Sequence, residues 1–166
     1  TTEIYTLSLH DALPIYHVQK KYVAIVCPKD KEAEERILRL ASGENHRGII
    51  SLPLMPNYLD RPRQIVNHEQ GKEAITEYEV LGSEERHHLR LALFPKTGRT
   101  HQLRVHCAHH EGLNAPILGD PLYGNEKAPR LYLHAEEITF KHPLTGKTMT
   151  IMRKADFPLK IGRAHV

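Results

Sequence analysis

Long apolar runs are missing from this chain. No stretch of it approaches the roughly 20 residues a membrane-spanning helix needs. The mean hydropathy is -0.49, with 40% hydrophobic residues. A membrane protein is excluded on that ground, and a single soluble domain is expected, because 166 residues suit one sizeable core and not two. Cysteine is scarce as well. Cys27 and Cys107 lie far apart in apolar surroundings, which fits reduced core thiols of a cytoplasmic protein rather than a disulfide. The first residues lack the basic n-region of a secretory signal, and no repeat or low-complexity tract interrupts the chain. Neither sign of charge dominates: 23 Lys and Arg face 20 Asp and Glu, for a net charge of +3 and a pI near 8.8. Thirteen histidines can add positive charge below neutrality. This mild basicity is compatible with an RNA partner.

The two ends differ in character from the middle. Residues Thr1 to Ile15 and the tail Ile161 to Val166 resemble translated sequencing-adapter reads. The expectation is therefore an artefactual segment at 1–15, a genuine domain at 16–159 and an artefactual tail at 160–166.

Between them the chain is orderly. Lys20 to Cys27 is β-branched and apolar and ends at Pro28, which predicts a strand. Lys31 to Leu40 places Ala33, Ile37 and Leu40 at helical spacing. Ile49 to Leu54 reads as a short strand cut by prolines, and Tyr58 to Gln70 as a polar surface loop. Ala74 to Leu81 alternates Ala74, Thr76, Tyr78 and Val80 against a wetter set, predicting a half-buried strand. Gly82 to Arg86 is then a hairpin loop, with His87 to Phe94 as the antiparallel partner. Leu131 to Phe140 and Thr148 to Met152 flank a turn at 142–147. Several strands with hairpin spacing and one main helix predict an α+β fold with a largely antiparallel sheet.

The central stretch is Lys96-Thr97-Gly98-Arg99-Thr100-His101-Gln102-Leu103-Arg104-Val105-His106. A turn signal precedes Thr100, a good N-cap candidate, and Leu103, Cys107 and Ala108 follow on one helical face up to Gly112. Arg99, His101 and Gln102 crowd the expected helix start, with Arg104 one turn further on. Such a start suits an anion, and a phosphodiester is the obvious one. His101, His106, His109 and His110 offer a different reading, a metal site using His106 and His110 at i, i+4. No His-Glu-x-x-His arrangement supports it, so a metal site is not the expected reading.

Taken together, Lys20-Lys21-Tyr22-Val23-Ala24, Gly71 to Thr76, Thr97 to His106, Gly119-Asp120-Pro121-Leu122-Tyr123-Gly124 and Leu133-His134-Ala135 resemble, in order, the blocks of RluA-type RNA pseudouridine synthases (the RsuA/RluA-like family). The resemblance covers residues 16 to about 159. It implies a mixed, mainly antiparallel sheet flanked by helices, with an RNA cleft across it. It also implies isomerisation of a uridine in structured RNA, which requires the base to leave its stack. Tyr22 matches the active-site tyrosine, Arg104 the arginine paired with the catalytic aspartate, and Leu133 the apolar residue near the flipped base. Lys96, Arg99, His101 and Gln102 are assigned to the RNA backbone.

One block of that family is missing. Its aspartate lies in a His-Arg-Leu-Asp run upstream of the tyrosine strand, and this sequence contains no such run. Asp11, the only aspartate before Tyr22, sits in the adapter-like segment, and Asp120 matches a loop-forming motif. The chain is therefore expected to be the C-terminal portion of a catalytic domain, inactive alone, with Arg104 left without its carboxylate. The expected partner is RNA, large-subunit ribosomal RNA first and transfer RNA as the alternative, with no DNA or membrane, in a cytoplasmic monomer. A non-catalytic RNA-binding module is the rival reading.

Overall fold

The computed structural model describes residues 18–42 and 47–157. The adapter-like segment with Asp11 and the tail from residue 160 lie outside the described residues. The elements in chain order are β1 (Gln19–Val26), α1 (Lys31–Leu40), β2 (Gly48–Ser51), β3 (Leu54–Pro56), β4 (Gln64–Val66), β5 (Ile75–Ser83), β6 (Leu89–Pro95), α2 (Gln102–Ala108), β7 (Leu133–Lys141) and β8 (Thr148–Met152). Six strands form one sheet in the order β2-β5-β6-β1-β7-β8, and β3 pairs with β4 in a separate ribbon. Every ladder among the described strands is antiparallel. The fold is α+β with two helices, as the sequence pattern predicts. No helix among the described residues is long and apolar enough to cross a membrane.

The middle of the sheet is the core. Val23 to Val26 on β1, Cys27 just beyond it, and Leu91, Ala92 and Leu93 on β6 are all buried, so the sheet is covered on both faces there. That explains why β1 reads as a continuous apolar run, whereas β5 alternates: Thr76 and Tyr78 point inward and Glu77 and Glu79 lie half-buried on the other side. On that other side Arg47 bridges Glu77 and Glu79 and lies 3.8 Å over the Phe94 ring. α1 begins where Asp30 caps it, its Oδ1 accepting from the Ala33 N–H at 2.7 Å. The helix buries Ala33 and Ile37, and the Tyr78 hydroxyl donates to the Ile37 carbonyl. Gly48 on β2 lies against the Tyr78 ring so closely that a Cβ would collide with it.

Three local expectations change. Tyr58 to Gln70 is not all loop, since Gln64–Val66 pairs with Leu54–Pro56. The strand expected from His87 starts at Leu89, because Arg86 and His87 both take left-handed backbone in a 3-10 turn. The expected single strand over Ile49 to Leu54 divides in two around Leu52 and Pro53, and Leu52 turns its carbonyl to His106.

That contact belongs to a buried polar chain joining α2 to the sheet. Gln102 Nε2 donates to Thr76 Oγ1 at 3.0 Å, the Thr76 hydroxyl donates to His106 Nδ1 at 2.8 Å, and His106 Nε2–H donates to the Leu52 carbonyl at 2.9 Å. The direction follows from the neutral imidazole, which has one donor and one acceptor. Burial, with the nearby His109, holds the His106 pKa below its ordinary 6.5 despite the Leu52 hydrogen bond. An unfolded chain would take up this proton below pH 6.5, whereas the folded one resists it. The stabilisation is complete above that pH and is lost as pH falls. Denaturant melts should show lower stability at pH 5.5 than at pH 7.5. Thr76→Val should cost about 1–3 kcal/mol at pH 7.5 by leaving Gln102 and His106 without their partner. Equal stability at both pH values would contradict the neutral assignment.

Candidate active site

The stretch from Lys96 to Arg104 is strapped to the start of β5. Lys96 N–H donates to the Ile75 carbonyl, Thr97 Oγ1 accepts from Ile75 N–H, and Arg99 Nε donates to the Glu73 carbonyl at 3.0 Å. Gln102 completes the strap: Oε1 accepts from Thr97 Oγ1 and Arg99 N–H, and Nε2 donates to the Ile75 carbonyl and Thr76. Gln102 is 3% exposed with both polar atoms engaged. It braces the turn, and the expected contact with an RNA backbone is corrected to an internal role.

The helix start differs too. α2 begins at Gln102 and has seven residues, so Thr100 is not its N-cap. That position belongs to His101, in left-handed backbone at φ 55 and with no side-chain cap. The Gln102 and Val105 N–H groups are already bonded to the Arg99 and His101 carbonyls. Positive charge here is therefore carried by side chains, and the expectation of an anion seated on the helix N-terminus is dropped.

Arg104 points to the following loop. Its Nε donates to Asp120 Oδ2 at 2.9 Å and its Nη2 to Asp120 Oδ1 at 2.6 Å, a bidentate pair. The Asp120 side chain is 0% exposed and that of Arg104 15%. The expectation that Arg104 lacks a carboxylate in this chain is overturned. Asp120 Oδ1 also accepts from the Leu122 and Tyr123 N–H groups. Burial would raise the Asp120 pKa, but Arg104 and these two N–H groups outweigh it and hold the carboxyl below its usual range. Such a committed carboxylate organises a loop and is no free nucleophile. Gly119 enters the loop at φ +79, with the Arg130 carbonyl where a Cβ would stand, so only glycine fits.

The loop returns Tyr123 to the helix. Its ring lies 5.2 Å from the Arg104 guanidinium carbon. Its hydroxyl accepts from Gln64 N–H at 2.8 Å and donates to His101 Nδ1 at 2.7 Å. Burial and the Arg104 charge lower the His101 pKa, against a pull from Asp120, in keeping with a neutral ring that accepts at Nδ1. Arg63 reaches the same loop, donating from Nε to the Leu122 carbonyl. Tyr123 is the member sequence reasoning missed. The signal was the Asp-Pro-Leu-Tyr run itself, in which an aspartate accepts from N–H groups two and three residues on.

Tyr22 stands elsewhere on the same face. The ladder aligns Tyr22 with Leu93 on β6, Leu93 with Tyr78 on β5, and Tyr22 with Ala135 on β7. Tyr78 and Thr76 share that face of β5, and Thr76 holds α2. Leu133, two residues before Ala135, also faces this way, paired with Ala24. Tyr22 lines a hollow of about 320 Å³ with Lys20, Ala135, Glu137, Ile151 and Arg153. No hydrogen bond, ion pair or ring contact joins Tyr22 to Arg104 among the described residues. Lys96 pairs with Glu77 at 3.2 Å and keeps 48% of its side chain exposed. Of the four histidines in the rival metal reading, His106 has both ring nitrogens committed to the fold, and His101 Nδ1 is engaged by Tyr123.

This geometry has counterparts. The family model described as RNA pseudouridylate synthase matches residues 2–109. The chain belongs to that family. The match includes residues 2–15. The dual-specificity RNA pseudouridine synthase RluA of Haemophilus influenzae is 46% identical over 118 residues, covering 69% of this chain and 52% of the relative. The enzyme of the same name from Escherichia coli strain K12 is 42% identical over 143 residues, covering 84% and 58%. The solved structure of human RNA pseudouridylate synthase domain containing 1 superposes with a TM-score of 0.64 at 26% identity, covering 86% of this chain and 56% of that one. The chain thus spans little more than half the length of these relatives.

For this pseudouridylate synthase family member, the Arg104–Asp120 pair can be tested by removing one partner. Arg104→Met leaves a buried carboxylate unpaired and should cost about 3–5 kcal/mol in a denaturant melt. A loss under about 1 kcal/mol would show that the pair is not formed in solution.

Proposed function

We propose that this chain supplies the base-binding and backbone-binding part of an enzyme that isomerises uridine to pseudouridine in structured RNA. The observation that carries the reading is the common sheet face: Tyr22 lies on the face against which α2 is held, with Arg99 exposed at its margin. A flipped uridine needs an aromatic surface, and stacking on one is worth about 1–3 kcal/mol per base. Tyr22 offers the platform and a candidate group for the C5 proton, with Leu133 on the adjoining strand as an apolar neighbour. Arg104 acts through Asp120 and Tyr123, fixing the loop that positions His101. Arg99, His101 and Lys96 meet the RNA backbone.

The RNA is large-subunit ribosomal RNA, transfer RNA, or both; the last fits the dual specificity named for the relatives. Specificity in this reading comes from RNA shape. We place the protein in the cytoplasm as a monomer needing no cofactor. Without a His-Arg-Leu-Asp run the 166-residue chain holds RNA but does not turn it over.

Two measurements test this. RNA affinity should fall steeply with salt, and Arg99→Ala should lower the logarithmic salt slope by about one phosphate contact. Affinity indifferent to ionic strength would remove the backbone role. Incubation with uridine-labelled RNA should release no C5 hydrogen from this chain alone. Measurable release would overturn the assignment of inactivity and make Asp11 the first residue to substitute.

A further inference from the structure

Cys27, His88 and Glu126 lie outside the site described above and come from three separate segments. The β1–β6 ladder pairs Val26 with Leu89, so the next step of that register sets Cys27 opposite His88, and side chains directly opposite are close neighbours. Glu126 arrives from the loop after Gly119, which its backbone carbonyl anchors by accepting from Gly119 N–H at 3.2 Å. The potential ligand atoms of the three residues lie within 4.8 Å of one another.

We propose that Cys27, His88 and Glu126 form a zinc site that clamps the Asp120–Tyr123 loop to the end of the sheet. Sulfur, imidazole nitrogen and carboxylate oxygen are the three donor types zinc takes, and three protein ligands leave a fourth position for water. A thiolate beside an imidazole favours zinc over magnesium or calcium, which prefer oxygen alone. Two ligands at about 2.0–2.3 Å from one ion, at the tetrahedral angle, stand about 3.3–3.6 Å apart. His88 Nε2 is already 3.1 Å from both Glu126 oxygens. The remaining adjustment falls to Glu126, whose side chain is 42% exposed while that of His88 is 3% exposed.

The rest of His88 is consistent with this. Nε2 is the ring nitrogen that faces Glu126, and Nδ1, buried and without a hydrogen-bond partner among the described residues, would carry the ring proton in a zinc-bound His88. Cys27 is held by its own N–H, which donates to the Pro116 carbonyl at 2.8 Å. On binding, the metal–sulfur bond replaces the S–H bond and the proton leaves to solvent. Burial raises the pKa of both thiols, Cys27 beside Glu126 and Cys107 beside Asp120, and only Cys107 lies outside the grouping.

A second grouping, His109, His110 and Glu111, is made of consecutive residues without a soft ligand, and Glu111 is bonded to His68 at 2.9 Å. The experiment separates the two. The 166-residue protein is titrated with zinc while its thermal midpoint is followed, and with cobalt(II) while the thiolate-to-metal charge-transfer band is recorded. The expected result is one equivalent bound, a higher midpoint with zinc, and a cobalt band that Cys27→Ser removes and Cys107→Ser leaves in place. Glu126→Gln, at a half-exposed position that does not threaten folding, should weaken zinc binding at least about tenfold. Absence of a charge-transfer band, or binding lost in Glu111→Gln and kept in Glu126→Gln, overturns the proposal. RNA affinity does not enter either measurement, so the result is independent of the proposed function.

Discussion

The buried pair between Arg104 and Asp120 is the constraint on which the candidate site depends. It ties a short helix to a loop that begins 12 residues after that helix ends, and it does so with both charges largely out of water. Such a pair is weak evidence of net stability, because desolvation offsets the attraction. It is strong evidence of geometry. A planar guanidinium and a planar carboxylate meet in one orientation, and the two further N–H groups on Asp120 fix the loop in turn. Tyr123, and through it His101, inherit their positions from that contact.

The opposite side of α2 is held by a different device. Gln102, Thr76, His106 and Leu52 form a neutral chain in which every member has its partner. Fully satisfied buried networks specify a single arrangement, and partly satisfied ones do not. Together the charged pair and the neutral chain leave α2 little freedom to shift on the sheet. That restraint suits a site that must receive a base extruded from its stack and offer it a fixed pocket.

Much of this was legible in the sequence. Lys31–Leu40 occurs where periodicity puts it, because its helical spacing buries Ala33 and Ile37, and the exposed strand Thr148–Met152 occurs where β-branching and the turn before it put it. The buried face of β5 follows from its alternation. What was not legible depends on contacts distant in sequence. Nothing in Gln64-Ile65-Val66 announces a strand until Leu54-Met55-Pro56 lies beside it. Thr100 has the right chemistry for a cap, but the strap to Glu73 and Ile75 carries the chain past it and starts the helix later. Gln102 looks like a surface residue in a basic run, and only the fold turns it inward. Arg104 was read by its likeness to a family arginine, and its partner Asp120 stands 16 positions away in a motif that reads as a loop.

The same distinction of burial sorts the positive charges by what RNA could do with them. Lys96 and Arg47 share Glu77, and all three side chains keep solvent access of 25% or more. Exposed pairs of this kind are worth about 0–1 kcal/mol, so a phosphate can take over such a cation at little cost. Arg99 is engaged only through Nε and a carbonyl, and its terminal nitrogens make no hydrogen bond among the described residues. Arg104 is the reverse case. Separating it from Asp120 would strand a carboxylate with no exposure, at about 3–5 kcal/mol, more than a single phosphate contact returns. Under the proposed function, attraction for the RNA backbone therefore falls to Arg99 and Lys96. In the same reading Arg104 serves by holding the Asp120 loop.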